Sequence, residues 1–296
     1  MRKSILFVFC VLFLFQTNIF AQKKKVNNTV ESLQFTIYGT LGTYGAPPRL
    51  KNGRVDIPRL LSELADIHAN TYHWLIWQND NDWNDLKAFL PLAQKANLNV
   101  WVTLVPPSES KPIAKHSSEP YGLDYKRWAV ELAKLSISEP SLVAWSIDDF
   151  VHNLKFYTPE YTKKMLEAAR KINPQLVFIP CCYYKQTTPD FAKEYGPLFD
   201  GVLFPYRAES VGANLQDAAQ VENEIIHMRE LFEKPDFPIF IDIYATAHSR
   251  LGNSTPEYVK EVLKAGRKTA DGVLIYCHQD PQKYPEKYQI VKEGFK

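Results

Sequence analysis

Two rhythms of apolar and polar positions alternate along this chain. Short, nearly continuous apolar runs of strand length occupy residues 34–38, 71–77, 98–105, 142–150, 176–183, 201–206, 239–244 and 272–278. Between them lie stretches with apolar residues every three or four positions, the helical period: 57–68, 83–96, 125–137, 159–171, 191–195, 215–232, 256–268 and 285–292. In the first of these, Leu60, Leu61, Leu64 and Ile67 share a face. Thr158 and Thr255 precede prolines at two helix starts, where a side-chain oxygen can cap the first turn. Eight strand–helix units in succession, with strands apolar on both faces, predict a (β/α)8 barrel in a single domain spanning 33–296. An open doubly wound sheet is the alternative. No Gly-rich phosphate loop follows any strand and glycines are few, which argues against nucleotide-binding versions of that sheet.

The N-terminus follows another pattern. Arg2 and Lys3 precede an apolar run at 5–15 that is too short to span a bilayer, and Ile19-Phe20-Ala21 can close a signal peptide. Residues 1–21 are expected to be an export signal and 22–32 a short polar tether; a short membrane anchor is the alternative. Cleavage before Gln22 would leave no stable membrane insertion and place the protein in the periplasm or outside the cell. Cys10 lies inside the apolar run. Cys181, Cys182 and Cys277 have neither a disulfide framework nor metal-ligand spacing, and read as buried thiols. A net charge of +2 gives no strong pull toward nucleic acid or membrane. No metal and no organic cofactor is expected.

In a barrel the site is built where strands end. In order, those ends offer Tyr38, with Gly39 and Tyr44 beyond; His73, Trp77, Gln78 and Asn79; Pro106, which has no chemistry; Asp148 and Asp149, with His152 and Asn153; Tyr183 and Tyr184; Tyr206, Arg207 and Glu209; Asp242 and Tyr244; and Tyr276, His278 and Gln279. Taken singly, each tyrosine and each of His73 and His278 reads as scaffold, and Glu209 as a solvated loop charge. Their recurrence at strand ends suits a carbohydrate cleft, where polar groups hold hydroxyls and rings stack on sugar faces. Tyr38, His73, Trp77, Asn79, Tyr183, Tyr206, Arg207, Asp242, Tyr244, Tyr276 and His278 are accordingly the candidate substrate-binding residues.

The strongest feature is the run LVAWSIDDF at 142–150, in which Asp148 and Asp149 close an apolar strand. A lone aspartate there serves as a helix cap or an ion-pair partner. A pair is costly to desolvate and points to chemistry. Neighbours on a regular strand face opposite ways, so the two share a pocket only if the strand bends at its end. Held close, they cannot both ionise easily, and one proton affinity rises. That separation provides the donor and acceptor that glycosidic cleavage needs. Asp242, inside the apolar run at 239–244, is either a second carboxylate of an ordinary retaining or inverting pair, a sugar-hydroxyl ligand, or a structural partner of Arg207 or a lysine.

The stretch AWSIDDFVHN at 144–153 resembles the catalytic segment of family-84 glycoside hydrolases, the β-N-acetylglucosaminidases that include O-GlcNAcase and bacterial proteins once called hyaluronidases. Pro180-Cys181-Cys182-Tyr183 is similar to that family's ending of strand five. The resemblance implies a (β/α)8 catalytic domain and a retaining, substrate-assisted reaction needing no cofactor. It gives Asp148 the task of orienting the 2-acetamido group, whose carbonyl oxygen attacks the anomeric carbon. Asp149 would be the general acid and then base, and Tyr183 would bond near the acetamido group. The chain departs from the family at Leu203-Phe204-Pro205-Tyr206 and at Asp242-Ile243, positions that help recognise the amino sugar. A non-catalytic sugar-binding barrel, and an enzyme of another class on the same fold such as a lyase or a metal-dependent hydrolase, are the other readings.

Overall fold

The computed structural model describes residues 37–234 and 236–296. The expected signal peptide at 1–21 and tether at 22–32 lie outside them. Residues Gly39–Lys296 form one compact unit. Eight parallel strands alternate with helices: β1 Thr40–Tyr44, α1 Ile57–Asp66, β2 Thr71–Ile76, α2 Asp82–Lys95, β3 Asn99–Leu104, α3 Tyr125–Ser138, β4 Leu142–Ile147, α4 Pro159–Arg170, β5 Val177–Phe178, α5 Pro189–Tyr195, β6 Val202–Tyr206, α6 Val221–Leu231, β7 Ile239–Tyr244, α7 Pro256–Thr269, β8 Gly272–Tyr276 and α8 Pro285–Gly294. The ladder runs β5-β4-β3-β2-β1-β8-β7-β6. Its two ends meet at a parallel bridge between Cys181 and Leu203, where Cys182 N–H donates to the Leu203 carbonyl at 2.8 Å and Leu203 N–H to the Pro180 carbonyl at 2.9 Å. The chain is a single-domain (β/α)8 TIM barrel.

Two apolar layers hold it. Outward strand residues such as Tyr72, Trp74, Val102, Trp145, Ile147, Ile241 and Ile275 pack with Leu64, Phe89, Trp128, Met165 and Val262 of the helices. Each fully buried large side chain contributes roughly 1.5–3 kcal/mol. Alternate residues face the barrel axis, among them Trp101, Ala144, Ile179, Leu203, Phe240 and Leu274, all buried. Trp101 of β3 meets Phe240 of β7 edge to face across that axis, with ring centroids 4.9 Å apart. Thr158 and Thr255 cap their helices as their position predicts, accepting from Tyr161 N–H at 3.2 Å and Tyr258 N–H at 3.1 Å. Among the described residues no helix is long and apolar enough to cross a membrane. Cys181, Cys182 and Cys277 are free thiols, the first two buried.

The fifth strand, Val177–Phe178, is much shorter than the 176–183 run, and two other elements begin away from where the pattern puts them. The first strand is Thr40–Tyr44 rather than 34–38: Ile37 is helical, and Tyr38 and Gly39 make a turn. This strand is only weakly apolar because a small residue is required within it. A Cβ at Gly42 would stand 2.6 Å from the Thr71 carbonyl oxygen. The helix expected over 215–232 begins at Val221, because Asn214 Oδ1 takes the N–H groups of Gln216 (2.9 Å) and Asp217 (2.7 Å) and folds that segment into a turn.

Candidate active site

At the C-terminal ends of the strands lies a cavity of about 400 Å³, within the range of small-molecule sites. Asp148 follows β4 directly and continues its inward face after Ala144 and Ser146. Asp149 has φ +43°, a left-handed conformation that ends the extended run. That turn puts both carboxyls on the cleft wall instead of on opposite faces of a strand. An aspartate tolerates it better than a branched residue would.

The environments of the two carboxyls differ. Asp148 Oδ2 accepts from the Tyr44 hydroxyl at 2.9 Å, and Oδ1 from the Asp149 N–H at 3.0 Å. Burial nevertheless raises the Asp148 carboxyl, reinforced by the charge of Asp149, to about 6. Burial pushes Asp149 upward too, but its contacts with His152 and Tyr183 and the positive charge of Arg207 outweigh it and hold this carboxyl below the ordinary range. His152 Nδ1 lies 3.6 Å from Asp149 Oδ2, and its ring stacks on Tyr183 with centroids 4.8 Å apart.

A third carboxyl completes the wall. Glu109 sits in the short 3-10 turn Pro107–Glu109 after β3. Burial, with the charges of Asp148 and Asp149, raises it to about 8. Asp242 of β7 lies in the floor, buried, with Oδ1 unpartnered. Burial and the Asp148 charge push its carboxyl up as well. The cleft also carries Arg207, whose guanidinium lies over the Tyr183 ring at 4.1 Å and whose Nε donates to Glu209 Oε1 at 2.8 Å. Tyr44, Tyr244 and Tyr276 supply ring faces, with Tyr276 5.2 Å from each of the other two. A two-residue ribbon pairing Ala247–His248 with Gly252–Asn253 brings His248 and Arg250 to the rim.

Oxygens of Asp148 and Asp149 and the Cys181 sulfur lie within 4.8 Å of one another. The set does not fit a metal centre. A ligating cysteine must be a thiolate, whereas burial holds the Cys181 thiol well up, and it donates to Asp148.

Of the candidates read from sequence, Asp148, Asp149, Tyr183, Arg207, Asp242, Tyr244 and Tyr276 line this cleft together. Six others lie away from it, contrary to expectation. Tyr38 comes before β1, and the residue at that strand's C-terminal end is Tyr44. His73 points inward but lies beneath the Tyr44 ring, with centroids 4.5 Å apart; it bonds Thr103, and burial lowers it to about 3. Trp77 stands behind the wall, its indole N–H donating to the Glu109 carbonyl at 3.1 Å. Asn79 organises the turn into α2, with its N–H on Asp82 Oδ2 at 2.9 Å. Tyr206 falls on the outward face of β6 and donates to the Asp217 carbonyl at 2.7 Å. His278 is enclosed between Thr43 and Glu63, each at 2.9 Å. Glu209 is a buried ion-pair partner rather than a solvated loop charge. Sequence reasoning missed Glu109, His248 and Arg250, which stand in short turns and a two-residue ribbon, too short for a strand or helix period to be read. A glutamate three residues past the proline that stops β3 was the one available signal.

No protein-family model matches the chain, and no curated protein matches it. Solved structures do. A Thermotoga maritima Cel5A in complex with cellobiose aligns with a TM-score of 0.60 and 13% identity, over 87% of this chain and 98% of that one. A Pseudomonas stutzeri endoglucanase Cel5A gives 0.57 and 12%, over 88% and 94%. A GH2 β-galacturonidase from Eisenbergiella tayi gives 0.57 and 15%, covering 87% of this chain and 51% of the other, so the chain spans about half the length of that enzyme. At these identities the likeness is one of fold, the TIM barrel.

Proposed function

We propose that this protein is an exported glycoside hydrolase that cleaves a glycan or glycoconjugate with retention, its reaction centred on Asp148 and Asp149. One observation carries the reading: two adjacent carboxyls at the end of β4 share one tyrosine-walled cleft and are held at different proton affinities. Cleavage between sugars needs a proton for the leaving oxygen and an anion, or its equivalent, against the charge that develops on the anomeric carbon. Asp149 supplies the anion. The proton comes from one of the raised carboxyls, Asp148 or Glu109. An inverting pair stands roughly 6.5–9.5 Å apart to seat a water; with Asp148 as the donor, its closeness to Asp149 supports retention.

In the substrate-assisted form implied by the resemblance to family 84, the acetamido oxygen of an N-acetylhexosamine attacks the anomeric carbon. The resemblance would make Asp149 the acid. A carboxyl held below its ordinary range is a poor donor, so the anionic role, close to the acetamido nitrogen, suits it better. Asp242, with its orphaned oxygen in the floor, suits a substrate hydroxyl. Export rests on the basic pair and apolar run at the N-terminus.

The test is turnover of a panel of aryl glycosides by wild type, Asp148→Asn and Asp149→Asn. Cleavage by wild type with losses of at least about a hundredfold in both variants is expected. Calorimetric binding of oligosaccharides without cleavage of any panel member would instead make this a sugar-binding barrel.

A further inference from the structure

We propose that Glu109, on the loop after β3, is the group that protonates the leaving oxygen, so that the acid of this site comes from a different strand than the Asp148–Asp149 pair. The inference rests on the hydrolase reading above and deepens it.

The geometry sets Glu109 apart from Asp148. Both oxygens of Asp148 already accept hydrogen bonds, from the Tyr44 hydroxyl and the Asp149 N–H, and such bonds favour the ionised form. Among the described residues, none donates to the Glu109 carboxyl, which faces the cleft half-buried. Its backbone, by contrast, is held on two sides. The Trp77 indole N–H donates to the Glu109 carbonyl at 3.1 Å. On the other side Asn153 Oδ1 accepts from Ser108 N–H at 3.2 Å, while its Nδ2 donates to Ser108 Oγ at 3.0 Å and to the Asp149 carbonyl at 2.9 Å. One asparagine thus binds the turn that carries Glu109 to the turn that carries Asp149. A glutamate on a solvated loop needs no such support; a proton donor does, because its reach must match that of the anion.

The charged and titratable groups around Glu109 are Asp148 and Asp149 beside it, His152 behind Asp149, Asp242 in the floor, and Arg207, His248 and Arg250 elsewhere in the cleft. Burial, with the charges of Asp148 and Asp149, favours the protonated form of Glu109 at neutral pH.

The Glu109 O–H bond breaks and its proton passes to the glycosidic oxygen. The electron pair of the C1–O bond leaves with that oxygen. C1 gains a bond from the acetamido oxygen or a carboxylate. Water then attacks C1 as the bond from C1 to the acetamido or carboxylate oxygen breaks and its electron pair returns to that oxygen, and the Glu109 carboxylate takes a proton from the water, restoring the acid.

The experiment compares 2,4-dinitrophenyl glycosides, whose leaving group needs no proton, with alkyl glycosides of the same sugar, using wild type, Glu109→Gln, Glu109→Asp and Asp148→Asn. Glu109→Gln is expected to lose about 10²–10⁴-fold on the alkyl glycoside and at most about tenfold on the dinitrophenyl one. It should also lose the alkaline limb of the pH–rate profile near 8. Glu109→Asp should recover part of the alkyl activity. An infrared difference spectrum at pH 6.0, wild type minus Glu109→Gln, should show one protonated carboxyl whatever the activity. Equal losses on both leaving groups, or a leaving-group dependence found in Asp148→Asn instead, would overturn the role of Glu109. Failure of wild type to cleave any glycoside would overturn the hydrolase reading itself.

Discussion

The Tyr44 hydroxyl reaches Asp148 Oδ2 at 2.9 Å, joining the ends of β1 and β4, two strands that are not neighbours in the sheet. The bond favours the ionised carboxyl against the burial that raises it to about 6. A hydrogen bond to a charged group contributes roughly 1.5–3 kcal/mol. Tyr44→Phe is therefore expected to raise the Asp148 carboxyl by about one unit or more. In the pH dependence of kcat/KM, the acidic limb should move upward by the same amount. A limb that stays in place would mean that another group sets it.

Arg207 and Glu209 form a buried ion pair, and Glu209 Oε2 also accepts from the Lys185 N–H at 2.9 Å. Removing one partner strands a charge in the interior, a loss of about 3–5 kcal/mol. Arg207→Met should lower the melting temperature by about 10 °C. Replacing both, Arg207→Met with Glu209→Leu, should restore most of it. If the double variant melted no higher than the single one, the pair would not be acting as a unit.

Asn153→Ala should weaken catalysis more than binding. The asparagine spans the turns of Glu109 and Asp149 without lining the cleft, so its loss loosens the spacing of two reacting carboxyls. A misplacement of about 1 Å can reduce rates on the order of a hundredfold. Steady-state kinetics should show kcat down by about tenfold or more with KM changed much less. A rise in KM alone would assign Asn153 to substrate contact instead.

Stability should respond to pH through Glu109. Folding raises its carboxyl from an ordinary 4.5 to about 8, so the folded protein holds this proton more tightly than the unfolded chain. The resulting stabilisation is complete below about 4.5 and is lost as pH climbs through about 8. Glu109→Gln, which has no proton to lose, should gain stability relative to wild type across that window. Melting temperatures of the two proteins from pH 4.5 to 8.0 measure this directly; a constant difference would contradict the raised carboxyl.

The barrel was legible in the sequence because its strands are apolar on both faces. The run at 239–244 coincides with β7, and those at 71–77 and 201–206 with β2 and β6 to within a residue. The first strand escaped because crowding against Thr71 demands Gly42, which breaks the apolar signal. The carboxyl pair was legible as well, since few other roles account for two aspartates after such a strand. Which neighbours join them was not. Pro205 and Tyr206 are adjacent at one strand end, yet only Pro205 faces the cleft, and alternation does not say which parity points inward. Glu109 was hidden for another reason: its place is set by Trp77 and Asn153, 32 and 44 residues away in the chain.

The edge-to-face meeting of Trp101 and Phe240 lies one inward layer below Asp242. It works as a stopper in the barrel's throat. In the hydrolase proposed above, reactant, attacking water and both products would then share the mouth at the strand ends, and each turnover would have to empty it before the next could begin.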